Sequence, residues 1–148
     1  SDEIYEKFIY GAGHTSIASF NKEIYDLTIV VNGFSKTFAM TGWRLGYAAG
    51  PSDIMTAIAS IQSQMTSCPN SIAQAAALEA LKCSTQGMIN EFDRRRKYIV
   101  KRLIEMDMRV KEPRGAFYVF PEAPFSSVDF ANQLLEKARV AVVPGRDF

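Results

Sequence analysis

The 148-residue sequence is poor in the residues that mark several functional classes: it has two cysteines, one histidine, one tryptophan and a formal net charge of +1. Cys68 and Cys83 form no CxxC pair and stand in apolar or helical surroundings, which leaves no disulfide framework and no cysteine metal site and points to a reducing compartment. The balance of 17 basic against 16 acidic residues offers no field for nucleic acid or for a membrane surface. No apolar run approaches the roughly 20 residues of a spanning helix, and "SDEIYEKF" is neither a signal nor a transit peptide. His14, in "GAGHTSIAS", has no partner at ligand spacing and reads as a turn residue, not a base or metal ligand. The basic run Arg94 to Lys97 is interleaved with Glu91, Asp93 and Glu105 on a helical pattern, so it reads as a solvated helix face.

What is present is an ordinary globular composition, 47% hydrophobic and 22% charged. Residues 27–33, "LTIVVNG", form a β-branched run closed by Asn-Gly and predict a buried strand entering a loop. Residues 43–51 predict a second short strand, and Pro51-Ser52-Asp53 opens a helix to about Met65. Residues 71–82 read as an alanine-rich helix suited to close packing, and residues 85–108 as a long amphipathic helix with Met88, Phe92, Ile99, Leu103 and Met106 near one stripe. Beyond it, residues 108–124 alternate like strands around Pro-Arg-Gly, residues 126–138 are a capped helix, and residues 139–145 a last short strand. The expectation is an α/β chain in two parts: residues 1–83 from a larger layered domain, then residues 84–148 as a linking helix and a smaller, incomplete α+β unit. A start without methionine and a stop at "VVPGRDF" suggest a piece of a longer polypeptide.

Lys36 raises the chemical question, because it stands among Phe34, Phe38, Ala39 and Met40 while lysine is among the least buried residue types. A lysine on a loop at the end of a strand presents its amine at the carboxyl edge of a sheet, where α/β proteins place ligands. An amine that forms a Schiff base with an aldehyde cofactor need not remain a buried point charge. Such a site with pyridoxal phosphate also needs a carboxylate, a hydroxyl and an arginine. Asp2, Tyr5 and Arg44 supply these types. Singly, each has a plainer reading: Asp2 as a helix cap, Tyr5 as a core edge, Arg44 as a surface ion-pair residue and Lys36 as a loop lysine. Their joint occurrence favours the cofactor.

The stretches "SDEIYEKFIY", "VVNGFSKTFAMTGWRLGYAAGP", "GAFYVFPEAP" and "ARVAVVPGRDF" closely resemble class I aminotransferases of the pyridoxal-phosphate fold type I superfamily, in the branch that holds aspartate and aromatic aminotransferases. The resemblance implies the carboxyl-terminal part of the large, mostly parallel α/β domain plus most of the small α+β domain. It implies Lys36 as the Schiff-base and catalytic lysine, and Arg44 as the phosphate ligand. It implies Asp2 on the pyridine nitrogen, Tyr5 on the phenolic oxygen and Ser35 as a phosphate or imine contact. Gly33 stands where many relatives have a serine, and Ser67 and Pro69 match a loop that approaches the partner subunit. Trp43 is expected to pack under the cofactor loop, and Phe117 and Tyr118 in a core or pocket wall. The implied activity moves an amino group between an amino acid, aspartate or aromatic, and a 2-oxo acid. The implied setting is pyridoxal 5'-phosphate as cofactor, no metal, no nucleic acid or membrane, and a cytoplasmic homodimer. The position of the distal-carboxylate arginine of animal-type aspartate enzymes falls near Ser63, so acidic specificity does not rest on that residue. The family's ring-stacking aromatic, its asparagine near the phenolic oxygen and its substrate-carboxylate arginine have no counterparts here, which predicts an isolated chain without activity. Two rival readings are another reaction on the same scaffold, such as β-elimination or an aminocyclopropane-type synthase, and a non-catalytic folded domain.

Overall fold

A computed structural model describes residues Ser1–Phe148. They form two compact units, Ser1–Asn90 and Glu91–Phe148, divided inside the long helix α4 (Gln86–Glu105).

In the first unit, β1 (Val30–Gly33) pairs antiparallel with β2 (Gly46–Ala49), Val30 opposite Ala49 and Gly33 opposite Gly46. The amino-terminal segment pairs with β1 in parallel: Asp2 lies opposite Val31, the Val31 N–H donates to the Ser1 carbonyl at 2.8 Å, and the Glu3 N–H donates to the Val31 carbonyl at 2.9 Å. Both strands are shorter than the apolar runs that predict them. Leu27 closes α1 (Lys22–Leu27), a six-residue helix whose length is too short for a periodic signal. Its one sequence cue is Asn21, whose Oδ1 accepts the Ile24 N–H at 2.9 Å.

Residues 34–45 join β1 to β2 and rest on α3 (Ser71–Ala80). Phe34 and Met40 are buried against Ala77, with Phe38, Leu45, Ala76 and Ala80 packed around them. The alanine content of α3 thereby has its reason, since methyl side chains let the helix approach the loop. Removing Phe34 and Met40 from water contributes roughly 1.5–3 kcal/mol each. The Phe38 ring stacks on Phe34 with centroids 5.5 Å apart. The apolar neighbours of Lys36 therefore anchor its loop, and Lys36 itself is half-buried. α2 (Ser52–Met65) buries no residue, and its apolar stripe of Ile54, Ile58, Ile61 and Met65 is exposed.

In the second unit, residues 109–122 fold back on themselves with an antiparallel bridge between Val110 and Pro121 and a 2.8 Å bond from the Glu122 N–H to the Arg109 carbonyl. Three of the four residues of the basic run are solvated: Arg94 pairs with Glu91, as does Arg95, and Lys97 pairs with Asp93. Hydrogen bonds from Arg94 and Arg95 hold the Glu91 carboxyl down to about 2. Arg96 departs from the solvated-face reading. It is 12% exposed, and it bonds Asp93 at 2.7 Å and the Pro113 carbonyl at 2.9 Å, tying α4 to the fold-back. Phe117 and Tyr118 lie 4.7 Å apart by ring centroid, and Phe117 lies 5.8 Å from Phe92; together they wall a cavity of about 260 Å³. α5 (Ser127–Gln133) continues through a π turn to Ala138 and stops at Arg139, whose φ of 57° is left-handed.

Two strand expectations fail here. Residues 108–124 form a single bridge, and residues 139–145 form no strand, with Val140, Val142 and Val143 47%, 47% and 67% exposed. Alternation describes a surface that fits a sheet, and no strand of this chain hydrogen-bonds to these segments.

Candidate functional site

The strand directions assemble the site. The Asp2 segment and β1 run parallel, and β2 runs opposite to β1. The carboxyl end of β1, the turn after Asp2 and the start of β2 therefore lie at one end of the sheet. Ser35 and Lys36 follow β1, Tyr5 follows Asp2, and Arg44 precedes β2, so all four belong to that end, with Asp2 itself level with Val31.

The crossing at this end is tight. A side-chain carbon on Gly33 would stand 3.0 Å from the Leu45 carbonyl, 3.1 Å from the Gly46 Cα and 3.3 Å from Ile4 Cδ1. A serine there would force its neighbours to give by a few tenths of an ångström. Glycine keeps the loop close to the amino-terminal segment.

Each candidate side chain has a local restraint. Asp2 is exposed, and its Oδ1 accepts the Ile4 N–H at 3.1 Å, a turn that fixes the carboxylate against its own backbone. Tyr5 is half-buried and meets Phe8 edge-on, with ring centroids 6.3 Å apart. Ser35 and Lys36 sit half-buried in the turn, where the Lys36 carbonyl accepts the Ala39 N–H at 3.2 Å. Arg44 is held at a left-handed φ of 52°, and its guanidinium donates to the Thr41 carbonyl at 2.8 Å while the side chain stays exposed. Next to Lys36, Thr37 is 2% exposed and its hydroxyl has no hydrogen-bond partner. Trp43 is not packed under the loop: it is 46% exposed, because the buried positions of this segment are taken by Phe34 and Met40.

A second group of polar residues escapes the sequence reading. Glu3 is 6% exposed, and both its carboxylate oxygens are engaged. Ser16 Oγ donates at 2.7 Å and Ser1 Oγ at 3.2 Å to Oε1, and His14 Nε2 lies 3.1 Å from Oε2. His14 is a loop residue as expected, yet it has this carboxylate as a partner, and the Glu6 carboxylate stands in the same cluster, with the ligand-type atoms of all three within 4.8 Å of one another. The pairings span 11 and 13 residues, so no local spacing announces them. Burial pushes the Glu3 carboxyl up, but the hydrogen bonds from Ser16, His14 and Ser1 outweigh it and hold the group below the ordinary carboxylate range. Burial, then the charges of Glu6 and Glu3, push the Tyr47 phenol up. An open cavity of about 880 Å³ borders Glu6, His14, Ser16 and Thr85, and none of the five candidate residues lines it.

The aminotransferase class I and II family matches residues 1–148. An aspartate aminotransferase of Thermotoga maritima is 43% identical over the whole of this chain, which covers 39% of it. One from Pyrococcus abyssi is 46% identical, again over the whole chain and 40% of the relative. The crystal structure of an aromatic aminotransferase from Pyrococcus horikoshii superimposes with a TM-score of 0.93 at 49% identity, over 98% of this chain and 41% of that one. The chain thus spans about two-fifths of the length of the relatives it matches.

Proposed function

Since the chain belongs to the class I and II aminotransferases and shares their α/β architecture, we propose that the whole protein is a pyridoxal-phosphate-dependent aminotransferase. It moves an amino group between an amino acid, aspartate or aromatic, and a 2-oxo acid. In this reading residues 1–83 belong to the cofactor-binding domain, and residues 84–148 are the linking helix and small domain.

The observation that supports the reading is an amine, a phenol, a hydroxyl and a guanidinium on the segments at one end of a small sheet, with a carboxylate bridged to its first strand at Val31. This donor set fits an aldehyde-bearing pyridine with a phosphate. Lys36 would hold the aldehyde carbon, Arg44 the phosphate, Asp2 the ring nitrogen and Tyr5 the phenolic oxygen, with Ser35 beside the phosphate. Arg44 suits a phosphate because its planar fork offers five donors, and one bond to a backbone carbonyl leaves most of them at an exposed surface. When bound, the cofactor supplies an electron sink for the carbon from which a proton is taken.

The chain's own residues do the rest. Once released by the incoming amino group, Lys36 Nζ would take the substrate's α-proton and give it up again two bonds away, acting as base and then acid. Asp2, an exposed carboxylate with one oxygen fixed by Ile4, would keep a proton at the ring nitrogen by its negative charge. Tyr5, braced by Phe8, would orient the cofactor's phenolic oxygen. The buried bed of Phe34, Met40 and Ala77 keeps the Lys36 loop in register with Arg44. The proposal includes a cytoplasmic homodimer without nucleic-acid or membrane partners; a near-balanced charge supports the last point, and no helix is long and apolar enough to cross a membrane.

The test uses the complete protein with pyridoxal 5'-phosphate. Borohydride reduction followed by peptide mapping is expected to label Lys36, and amino donors with 2-oxo acids are expected to support exchange. A label on another lysine, or consumption of amino acid without conversion of the 2-oxo acid, would overturn the reading.

A further inference from the structure

Glu3 is a buried ionised group one residue from Asp2, and the reaction proposed above does not use it. Burying a carboxylate costs free energy unless it is fully bonded, and here three side chains are recruited to bond it. What those bonds secure is position. The Glu3 N–H and the Ser1 carbonyl are the two backbone groups that dock on Val31, and Asp2 is the residue between them. Successive side chains of an extended segment point to opposite faces. Glu3 therefore anchors one face, where it is buried, while Asp2 projects from the other, where it is exposed. The anchor comes from the loop carrying His14 and Ser16, so the segment is held between that loop and β1.

On the reading of Asp2 given above, we propose that Glu3, held by His14 and Ser16, is a positioning residue that fixes Asp2 against the cofactor's ring nitrogen. The other groups that act on the cluster are Glu6 in the following turn and Tyr47 on β2. A clamp of this kind acts through geometry: loosening it lets Asp2 drift, and the proton on the ring nitrogen is held less tightly.

The experiment takes the complete protein with pyridoxal 5'-phosphate and measures the pH midpoint of the bound cofactor's absorption band alongside Tm. The proteins compared are wild type, Glu3→Ala, Glu3→Gln, His14→Ala and Asp2→Asn. Glu3→Ala and His14→Ala are expected to move the midpoint toward that of Asp2→Asn by about half a unit or more, a roughly threefold change in proton affinity. Glu3→Gln, which keeps an acceptor for Ser16, falls between. A lowered Tm with an unmoved midpoint overturns the proposal, leaving Glu3 a support of the fold alone. Should Glu3→Ala fail to fold, the wild-type His14 imidazole, assigned by comparison with His14→Ala, provides a second readout. Its resonance is expected to shift when pyridoxal 5'-phosphate binds, and an unshifted resonance overturns the coupling. Absence of a borohydride-trapped label on wild-type Lys36 is a different result: it overturns the cofactor reading and the positioning role with it.

Discussion

Asp2 lies opposite Val31 in a parallel bridge, held by backbone bonds of 2.8 and 2.9 Å on either side of it. The carboxylate is exposed, so its replacement leaves the packing untouched. Asp2→Asn is expected to keep the unfolding free energy within about 0.5 kcal/mol while lowering kcat of the complete protein by about 10²–10⁴-fold. Parallel denaturation and steady-state assays check both halves.

Lys36 is half-buried, and its loop is anchored by Phe34 and Met40. Lys36→Ala should therefore fold with a far-ultraviolet spectrum like the wild type and lose the borohydride-stable pyridoxyl label, read by mass spectrometry of the tryptic peptide.

The anchor itself is expected to be costly to remove. Met40→Ala takes a large side chain from a site packed against Ala77, and the expected loss is about 2–5 kcal/mol. Urea unfolding of the two proteins measures it.

Thr37 makes the opposite prediction. Its hydroxyl is buried without a partner, a situation that costs about 1–3 kcal/mol. Thr37→Val is expected to leave stability unchanged or raise it, and a loss above about 1 kcal/mol in the same urea experiment would show that the hydroxyl is bonded in solution.

Glu3 gives the pH dependence. Its carboxyl is held below the ordinary range, so its contribution to stability is present above the unfolded-chain value and is lost as pH falls through the lower folded value. The gap in unfolding free energy between wild type and Glu3→Gln is therefore expected to be full at neutral pH and to close in acid. Thermal unfolding at a series of pH values reads the closure.

Much of the first unit was legible in the residues. The apolar period of α2 and α4 and the alanines of α3 follow from the sequence pattern, because a helix satisfies its backbone bonds within itself. Strands depend on partners elsewhere, and that is where the reading failed. The alternation at 108–124 and 139–145 has no strand to join, while Val30–Gly33 does. The site divides in the same way. Lys36 and Arg44 share one loop and stand out in the local sequence, and Asp2 is joined to the strand before that loop only through its bridge to Val31. The Glu3, His14 and Ser16 cluster was invisible, since a buried carboxylate meeting a loop 11 to 13 residues away leaves no periodic trace.

Trp43 is the chain's lone indole, half open to water and one residue from Arg44. It is an optical probe beside the candidate site: the emission that Trp43→Phe removes from the complete protein is the part that reports from this position. A phosphate-bearing chromophore arriving at the neighbouring guanidinium would quench that light by energy transfer, so occupancy can be followed in real time without any dye attached.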